Sequence, residues 1–392
     1  MKKSHIYALT LAIVAISFVI VTKFDILDLL IKKNNWIQII FFILTIAVAG
    51  FLMVPIINKK KLQISFNANI KKLSKTEDFN MMFEKIRKNT ENDFENLKKR
   101  MIITVGVFVA INIILVIVAL FVKTPISLEA MTSEFFKLII VCVKILMFVI
   151  TWTIFGFVFK DNLKEYHLMY KSKIISGIVN WLRNGLEYEH KNEEKEKVFK
   201  SHYINSGFET RTFNVFSAED YIYGNINDGV NIRLADICTK KIEKIGTEEE
   251  QIDLLFSGLF VATAIKTSIN STIKLLTDDL KLVIEDDFVK MDNSELEKNF
   301  DVYCFDKMLV MRIFTTETME MLNKFYEKYR IAFEMIIKDN IIYLRFHTDN
   351  MFETSIINNP LNKDKIFLYY SVLKFVFEIT ENINGVLNNL SI

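Results

Sequence analysis

Few residues of this chain are placed where their chemistry alone suggests a role. Lys144 and Asn112 are the first, since each is polar inside an otherwise apolar stretch. An ionisable side chain in hydrocarbon is costly, so a lysine there is a functional candidate by default. Lys144 is seventh in the stretch Leu138–Phe159, and its stem can carry the ammonium back toward the nearer surface. The sharper alternative pairs it with Asn112, near the middle of Met101–Val122. No acidic residue lies in these stretches, so a carboxylate proton relay is absent. The five histidines, His5, His167, His190, His202 and His347, are scattered. His190 and His202, with Glu189, Glu193 and Glu194 nearby, could chelate a metal, but a solvated helix face accounts for the same pattern. Asp278-Asp279 and Asp286-Asp287 could attract a cation, but they lack the spacing and glycine of an EF-hand loop. Cys142, Cys238 and Cys304 show no CxxC spacing, so neither a disulfide framework nor a zinc site is indicated. There is no GxxxxGK[ST], GxGxxG, HExxH or GxSxG, and Ser257 has Leu255 and Leu259 where a nucleophile elbow needs glycines. The expectation is no catalytic set, no cofactor site and no metal site.

What would position Lys144 and Asn112 is a set of apolar helices. The chain has 392 residues, 51% hydrophobic and 24% charged, which coexist only if the apolar residues cluster. They do, in Ile6–Thr22, Trp36–Ile57, Met101–Val122 and Leu138–Phe159, of 17, 22, 22 and 22 residues. A hydrocarbon core of about 30 Å needs roughly 20 apolar residues of helix, so the sequence predicts four transmembrane helices. The first stretch follows Met-Lys-Lys-Ser-His, which looks like a charged leader region, but no A-x-A-like cleavage site closes it.

Loop charge sets the expected orientation. Residues 58–100 hold 12 Lys/Arg against 6 Asp/Glu, whereas 123–137 hold only Lys123 and Lys137. Both termini are then cytoplasmic, in a bacterial plasma (inner) membrane, with Lys23, Lys32 and Lys33 of the first outer loop discordant. The basic clusters at 59–61 and 98–100 suit anionic lipid headgroups as partner. A net charge of +2 gives no global field for nucleic acid.

The remaining sequence predicts stalk helices and a folded domain. Phe79, Met82, Phe83, Ile86, Phe94 and Leu97 recur at helical spacing after the capping-box pattern Ser74-Lys75-Thr76-Glu77, predicting one helix over about 77–122. Leu163, Tyr166, Met169, Tyr170, Ile174, Ile178 and Trp181 predict a second extension. The domains expected are an N-terminal transmembrane hairpin (1–57), stalk helices with a second hairpin (58–185) and a cytoplasmic domain (186–392). In the last, Asn227-Asp228-Gly229 splits a hairpin of 221–226 and 230–234. Residues 254–265 and 272–276 read as strands, the first with helix as an alternative. Hairpins are expected at 300–305/308–314 and 331–337/341–347, and helices at 315–330 and 363–387. Tight turns imply antiparallel pairing, so the class is α+β.

Several short motifs occur in an order that resembles a known family. Ala218-Glu219-Asp220-Tyr221-Ile222-Tyr223-Gly224 looks like its Asp-apolar-apolar-Gly step, with one extra residue between Asp and Gly. Leu255-Phe256-Ser257-Gly258-Leu259-Phe260 is similar to its F-x-G-L-F element. Phe300-Asp301-Val302-Tyr303, Asp306, Arg312 and Thr315, then Ile342-Tyr343-Leu344 and Met351-Phe352-Glu353, complete the order. The family is the domain-of-unknown-function family 3137, and the resemblance spans roughly 75–385. It implies a bacterial membrane protein of unknown activity and supplies no catalytic residues. The family pattern commonly has two spans, so the first two stretches look like an added N-terminal hairpin.

The function expected from these observations is a membrane-anchored cytoplasmic binding or scaffold module with a protein partner. The alternatives are a membrane-tethered enzyme with an unrecognised site, or a channel or transporter. Perturbed titratable groups in a concave pocket would favour the enzyme. A water-lined path past Asn112 and Lys144 would favour transport. Oligomeric state is not fixed by the sequence.

Overall fold

The computed structural model describes residues 75–121, 134–226, 230–245, 249–280, 287–353 and 360–390. Helix α1 (Glu77–Phe121) starts where the Thr76 hydroxyl accepts from the Phe79 N–H at 3.3 Å, so Thr76 rather than Ser74 supplies the cap. Helix α2 (Glu134–Tyr170) is followed by a π-helical turn (Lys171–Ile175), in which the Ser176 N–H reaches back to the Lys171 carbonyl, and by α3 (Ser176–Leu182). After β1 (Leu186–Glu189) comes α4 (Glu193–Ser206), capped by the Asn192 side chain and ended by Gly207. Strands β2 (Val215–Asn225), β3 (Asn231–Ile245) and β4 (Glu249–Thr277) follow. The chain then forms α5 (Ser294–Asn299), β5 (Phe300–Tyr303), α6 (Lys307–Ile313), α7 (Thr316–Tyr329), β6 (Phe333–Phe346) and α8 (Lys363–Leu390).

Residues 96–163 form one compact unit, and residues 75–95 with 164 onward form a second. In the first, Phe108 stacks on Phe155 at 4.0 Å and meets Trp152 edge-on at 5.2 Å. Ile103, Ile114, Ile154 and Phe157 are exposed.

Among the described residues, no helix is long and apolar enough to cross a membrane. That corrects the expected four-span architecture, and with it the multi-pass placement in a bacterial inner membrane with cytoplasmic termini. The first two apolar stretches lie outside the described residues. The stretch from Met101 is the second half of a 45-residue helix whose first half is dense in charge, and within it Phe108 packs against Trp152 and Phe155 of α2.

The second unit is α+β, with a six-stranded antiparallel sheet ordered β1-β2-β3-β4-β5 and β6 on β4. The hairpin expected around Asn227-Asp228-Gly229 is β2–β3, with Asn225 opposite Asn231. One expectation is corrected. Residues 307–313 are helix, not the second arm of a hairpin, because Asp306 accepts from the Leu309 N–H at 3.0 Å and caps a helix instead of turning a strand. The hairpin expected at 331–337/341–347 is present within β6: the His347 N–H donates to the Ala332 carbonyl at 2.9 Å, Arg345 meets Glu334 at 2.6 Å, and the Phe333 and Phe346 rings lie 5.2 Å apart, contacts that a straight strand rising about 3.3 Å per residue could not make. Lys338-Asp339-Asn340 turns it, with Asp339 at φ +56°. The two strands expected at 254–265 and 272–276 are two arms of β4: Leu259–Ala264 pairs with the second arm of the β6 hairpin and Ile273–Leu276 with the first.

Period-two alternation buries both faces of this sheet. On one, Phe199 and Tyr203 of α4 pack with Tyr221, Ile237, Phe256 and Phe260. On the other, Phe325 of α7 stacks on Phe375 of α8 at 3.9 Å, over Phe333 and Phe346. Helix α1 reaches α8 through Phe79, whose ring lies 4.9 Å from Phe367. Gly258 has φ +155°, and a Cβ there would lie 2.0 Å from the Phe346 carbonyl oxygen. The glycine of the F-x-G-L-F element is thus where β4 and the end of β6 come closest. We predict that Gly258→Ala costs about 3 kcal/mol in urea unfolding, the upper end of typical overpacking. An unchanged midpoint would show that this approach is loose in solution.

Candidate functional site

The π-helical turn places Lys171 at the centre of the second unit, 2% exposed. Its ammonium donates to Asp220 Oδ2 at 2.8 Å and to Glu353 Oε1 at 3.1 Å, with Glu219 Oε2 at 3.8 Å. Burial opposes the charge, but Asp220 and Glu353 outweigh it and raise the lysine pKa. Asp220 is presented by a bulge: the β2–β3 register shifts between Glu219 and Ile222, and Asp220 takes φ +59°. Its N–H donates to the His190 carbonyl at 2.8 Å. Its Oδ1 accepts from the Tyr188 hydroxyl at 2.6 Å and lies 3.0 Å from His190 Nδ1. Burial and Asp220 together push the Tyr188 phenol well up.

Asp236 lies behind this cluster, directly opposite Glu219 in the β2–β3 register. It is 3% exposed, one oxygen accepts from the Phe352 N–H at 3.0 Å, and burial followed by the Asp220 charge raises its pKa far above the carboxylate range. Lys365 donates to the Glu353 carbonyl, and burial lowers its pKa to about 8. A second buried ion group lies on the α4 side of the sheet. There Arg345 forks onto Glu334 at 2.6 and 2.9 Å and reaches the Tyr203 hydroxyl at 3.1 Å, while His347 stands 2.9 Å from Glu334.

In front of the π-turn is a groove of about 900 Å³. One wall is α1, with Lys85, Asn89 and Thr90; the other is the π-turn and α3, with Ser172, Ser176 and Asn180. Gly177 lets the walls meet: a Cβ there would stand 3.1 Å from Ile86. Trp181 lines the groove, donating Nε1–H to Asp78 at 3.0 Å, with the Lys85 ammonium 5.5 Å from its ring centroid. Asp78 also accepts from the Tyr370 hydroxyl, and Lys173 pairs with Asp93. Neither Lys171 nor its carboxylate partners line the groove.

The residues singled out from sequence fare differently. Asn112 is buried, and its Nδ2 donates to the Phe108 carbonyl of its own helix at 2.8 Å. Lys144 lies within α2, and its side chain is outside the described residues. His190 and His202 do not come together: His202 approaches Arg233 at 3.3 Å, and burial lowers its pKa. Asp286 lies outside the described residues, so the pairing of Asp278-Asp279 with it is not described. Reading by motif missed the Lys171 cluster because its members are far apart in the chain. The signal was present, since Lys171 falls three residues before Ile174 and seven before Ile178, on the face that must be apolar.

Residues 254–384 match the family described as Protein of unknown function (DUF3137). The DUF3137 segment covers less than half of the chain and contributes β4 through most of α8, including Glu353 and Lys365. Lys171, Asp220 and Asp236 precede it. Among solved structures, the crystal structure of the mycobacterial trehalose monomycolate transport factor A, TtfA, is similar at 12% identity. That likeness covers 54% of this chain and 95% of that one, with a TM-score of 0.29, which carries no argument about fold or function. No curated protein matches the chain.

Two measurements follow from the Lys171 geometry. Lys171→Met leaves buried carboxylates without their cation and should cost about 3–5 kcal/mol in urea unfolding, the range for breaking a buried pair. Adding Asp220→Asn should recover part of that loss; a single-variant cost below about 1 kcal/mol would put this pair with surface pairs. Lys365 titrates in the opposite sense. Its folded pKa is about 8 against an ordinary 10.5, so the stability it contributes is present above 10.5 and lost as pH falls through 8. Lys365→Met should therefore be more stable than the parent at pH 7, with the gap closing above pH 10.5.

Proposed function

We propose that this chain is a binding module whose polar ligand occupies the groove between α1 and the π-turn with α3. One observation carries the reading: the perturbed acid–base groups are buried behind the groove, and the groove offers recognition chemistry. Asn89, Asn180 and Ser172 are exposed carboxamide and hydroxyl groups that can both donate and accept. Trp181 adds an aromatic surface, and Lys85 a positive charge beside it. Such a set suits a ligand rich in its own donors and acceptors, held beside an aromatic ring. The groups with strongly shifted acidity, Asp236 and Lys365, do not line this surface, and the titratable groups that do are engaged: Asp78 with Trp181 and Tyr370, Lys173 with Asp93, and Lys85 over the Trp181 ring.

The test is thermal unfolding of the full chain against a panel of short peptides and small polar compounds. A true ligand at about a hundred times its Kd should stabilise the fold by about 2.7 kcal/mol. Asn180→Leu replaces an exposed residue whose hydrogen bond runs to Ser176. It should abolish that stabilisation and leave the ligand-free midpoint unchanged. Ligands that stabilise Asn180→Leu equally would overturn the groove assignment, and conversion of a ligand into a different compound would make the protein an enzyme.

A further inference from the structure

The carboxylate of Asp220 has two differently occupied sides. Oδ2 takes the Lys171 ammonium, and Oδ1 faces His190 Nδ1 at 3.0 Å. His190 Nδ1 and one oxygen each of Glu219 and Asp220 lie within 4.8 Å of one another. The bulge makes this possible. Consecutive residues of a regular strand point to opposite faces, and the extra residue at 219–222 brings Glu219 and Asp220 to one side. The Glu219 side chain makes no hydrogen bond among the described residues, and its nearest cations, Lys171 and Lys191, stand at 3.8 Å.

A second observation points the same way. Asp236 Oδ1 is buried and has no hydrogen-bond partner among the described residues. Asp236 is the direct cross-strand neighbour of Glu219, and such neighbours project from the same face of a sheet. A buried, unpartnered carboxyl oxygen is therefore directed at the side of the sheet that already gathers an imidazole and two carboxylates. Charge agrees with this. Glu219, Asp220 and Glu353 surround the single buried ammonium of Lys171, and Lys365 bonds the Glu353 backbone carbonyl rather than a carboxylate.

We propose that His190, Glu219 and Asp220 bind one divalent first-row transition-metal ion on the Oδ1 side of Asp220, with Asp236 behind them. Two ligand atoms each about 2.1 Å from an ion are about 3.0 Å apart at an octahedral right angle and about 3.4 Å apart at the tetrahedral angle, and His190 Nδ1 and Asp220 Oδ1 are 3.0 Å apart. One imidazole with carboxylates suits zinc or manganese over calcium or magnesium, which prefer all-oxygen sets. The Asp220 carboxylate would stand between the ion and the Lys171 ammonium, a bridge that separates the two positive charges. The Tyr188 hydroxyl, bonded to the same Oδ1, orients that oxygen. This inference is independent of what occupies the groove.

Full-length protein stripped with chelator and titrated with Zn²⁺ and with Mn²⁺ by calorimetry tests it, alongside metal analysis after gel filtration. The expected result is one equivalent of bound metal and a raised unfolding midpoint. His190→Ala should weaken binding at least about tenfold, the lower end of what metal-site partners contribute. Glu219→Gln, which removes no side-chain hydrogen bond, should do the same and keep the metal-free midpoint of the parent, whereas His190→Ala also removes the contact with Asp220 and should lower that midpoint. Asp236→Asn should weaken binding less. Absence of binding by both ions would overturn the proposal and leave His190 as a hydrogen-bond donor to Asp220. Equal affinity in parent and His190→Ala would overturn it too, by placing the ion elsewhere.

Discussion

A lysine ammonium with 2% exposure has to be surrounded by acceptors, and the second unit is arranged to meet that requirement. Lys171 extends from a π-turn, a helical irregularity that has a cost of its own and often marks a functional position. Asp220 meets it from a bulge with a backbone angle unusual for a non-glycine residue, and Glu353 from the segment after β6. Two local departures from regular geometry and one loop, far apart in sequence, thus converge on one charge. Buried ion pairs contribute little net stability compared with apolar packing, but they tolerate few alternative arrangements. In this fold Lys171 fixes the π-turn against the sheet edge, and the same π-turn supplies Ser172 and Lys173 to the groove. The shape of the exposed surface therefore depends on a charge it does not display.

The sheet imposes the other constraint. Strand β4 spans 29 residues, its first arm along β3 and its second along β5. It turns back between Ala264 and Ile273 around the tip of the β6 hairpin, and each arm of that hairpin pairs with one arm of β4. Gly258 lets the first arm of β4 close on β6, and the Arg345–Glu334 fork ties the two arms of the hairpin together. Arg345 is held between Glu334 and the Tyr203 hydroxyl, which ties helix α4 to the strands below it. Polar fastening thus recurs on both faces of an otherwise apolar core.

How much could be read from the chain varied with how local the cause was. Helices α1, α7 and α8 follow from three- and four-residue apolar spacing, and the β2–β3 hairpin from Asn227-Asp228-Gly229, since these causes lie within a few residues of their effects. Asp306-Lys307 misled because aspartate serves a turn and a helix cap alike. Which role it takes depends on the neighbour available: Asp306 caps a helix through Leu309, whereas Lys338-Asp339-Asn340 turns the β6 hairpin. The apolar stretches misled for a related reason. They record apolar character but not which surface each residue meets: Phe108 packs on Trp152 and Phe155, while Ile103, Ile114, Ile154 and Phe157 are exposed.

The amino-acid sequence by itself determined the α+β class of the second unit, its antiparallel pairing, most of its helices and its resemblance to DUF3137, because periodicity and short turn motifs act over a few residues. It even contained Asp220 and Glu353 among the motifs of that resemblance, without any indication that they meet. Tertiary structure decided that both carboxylates close on Lys171, that His190 joins Glu219 and Asp220 instead of His202, and that Asp236 is left with an unpartnered oxygen. Coulombic and hydrogen-bond partners are chosen by distance in space. Residues 49 and 182 positions apart along the chain come within 3.1 Å only after the bulge, the π-turn and the end of β6 have been assembled.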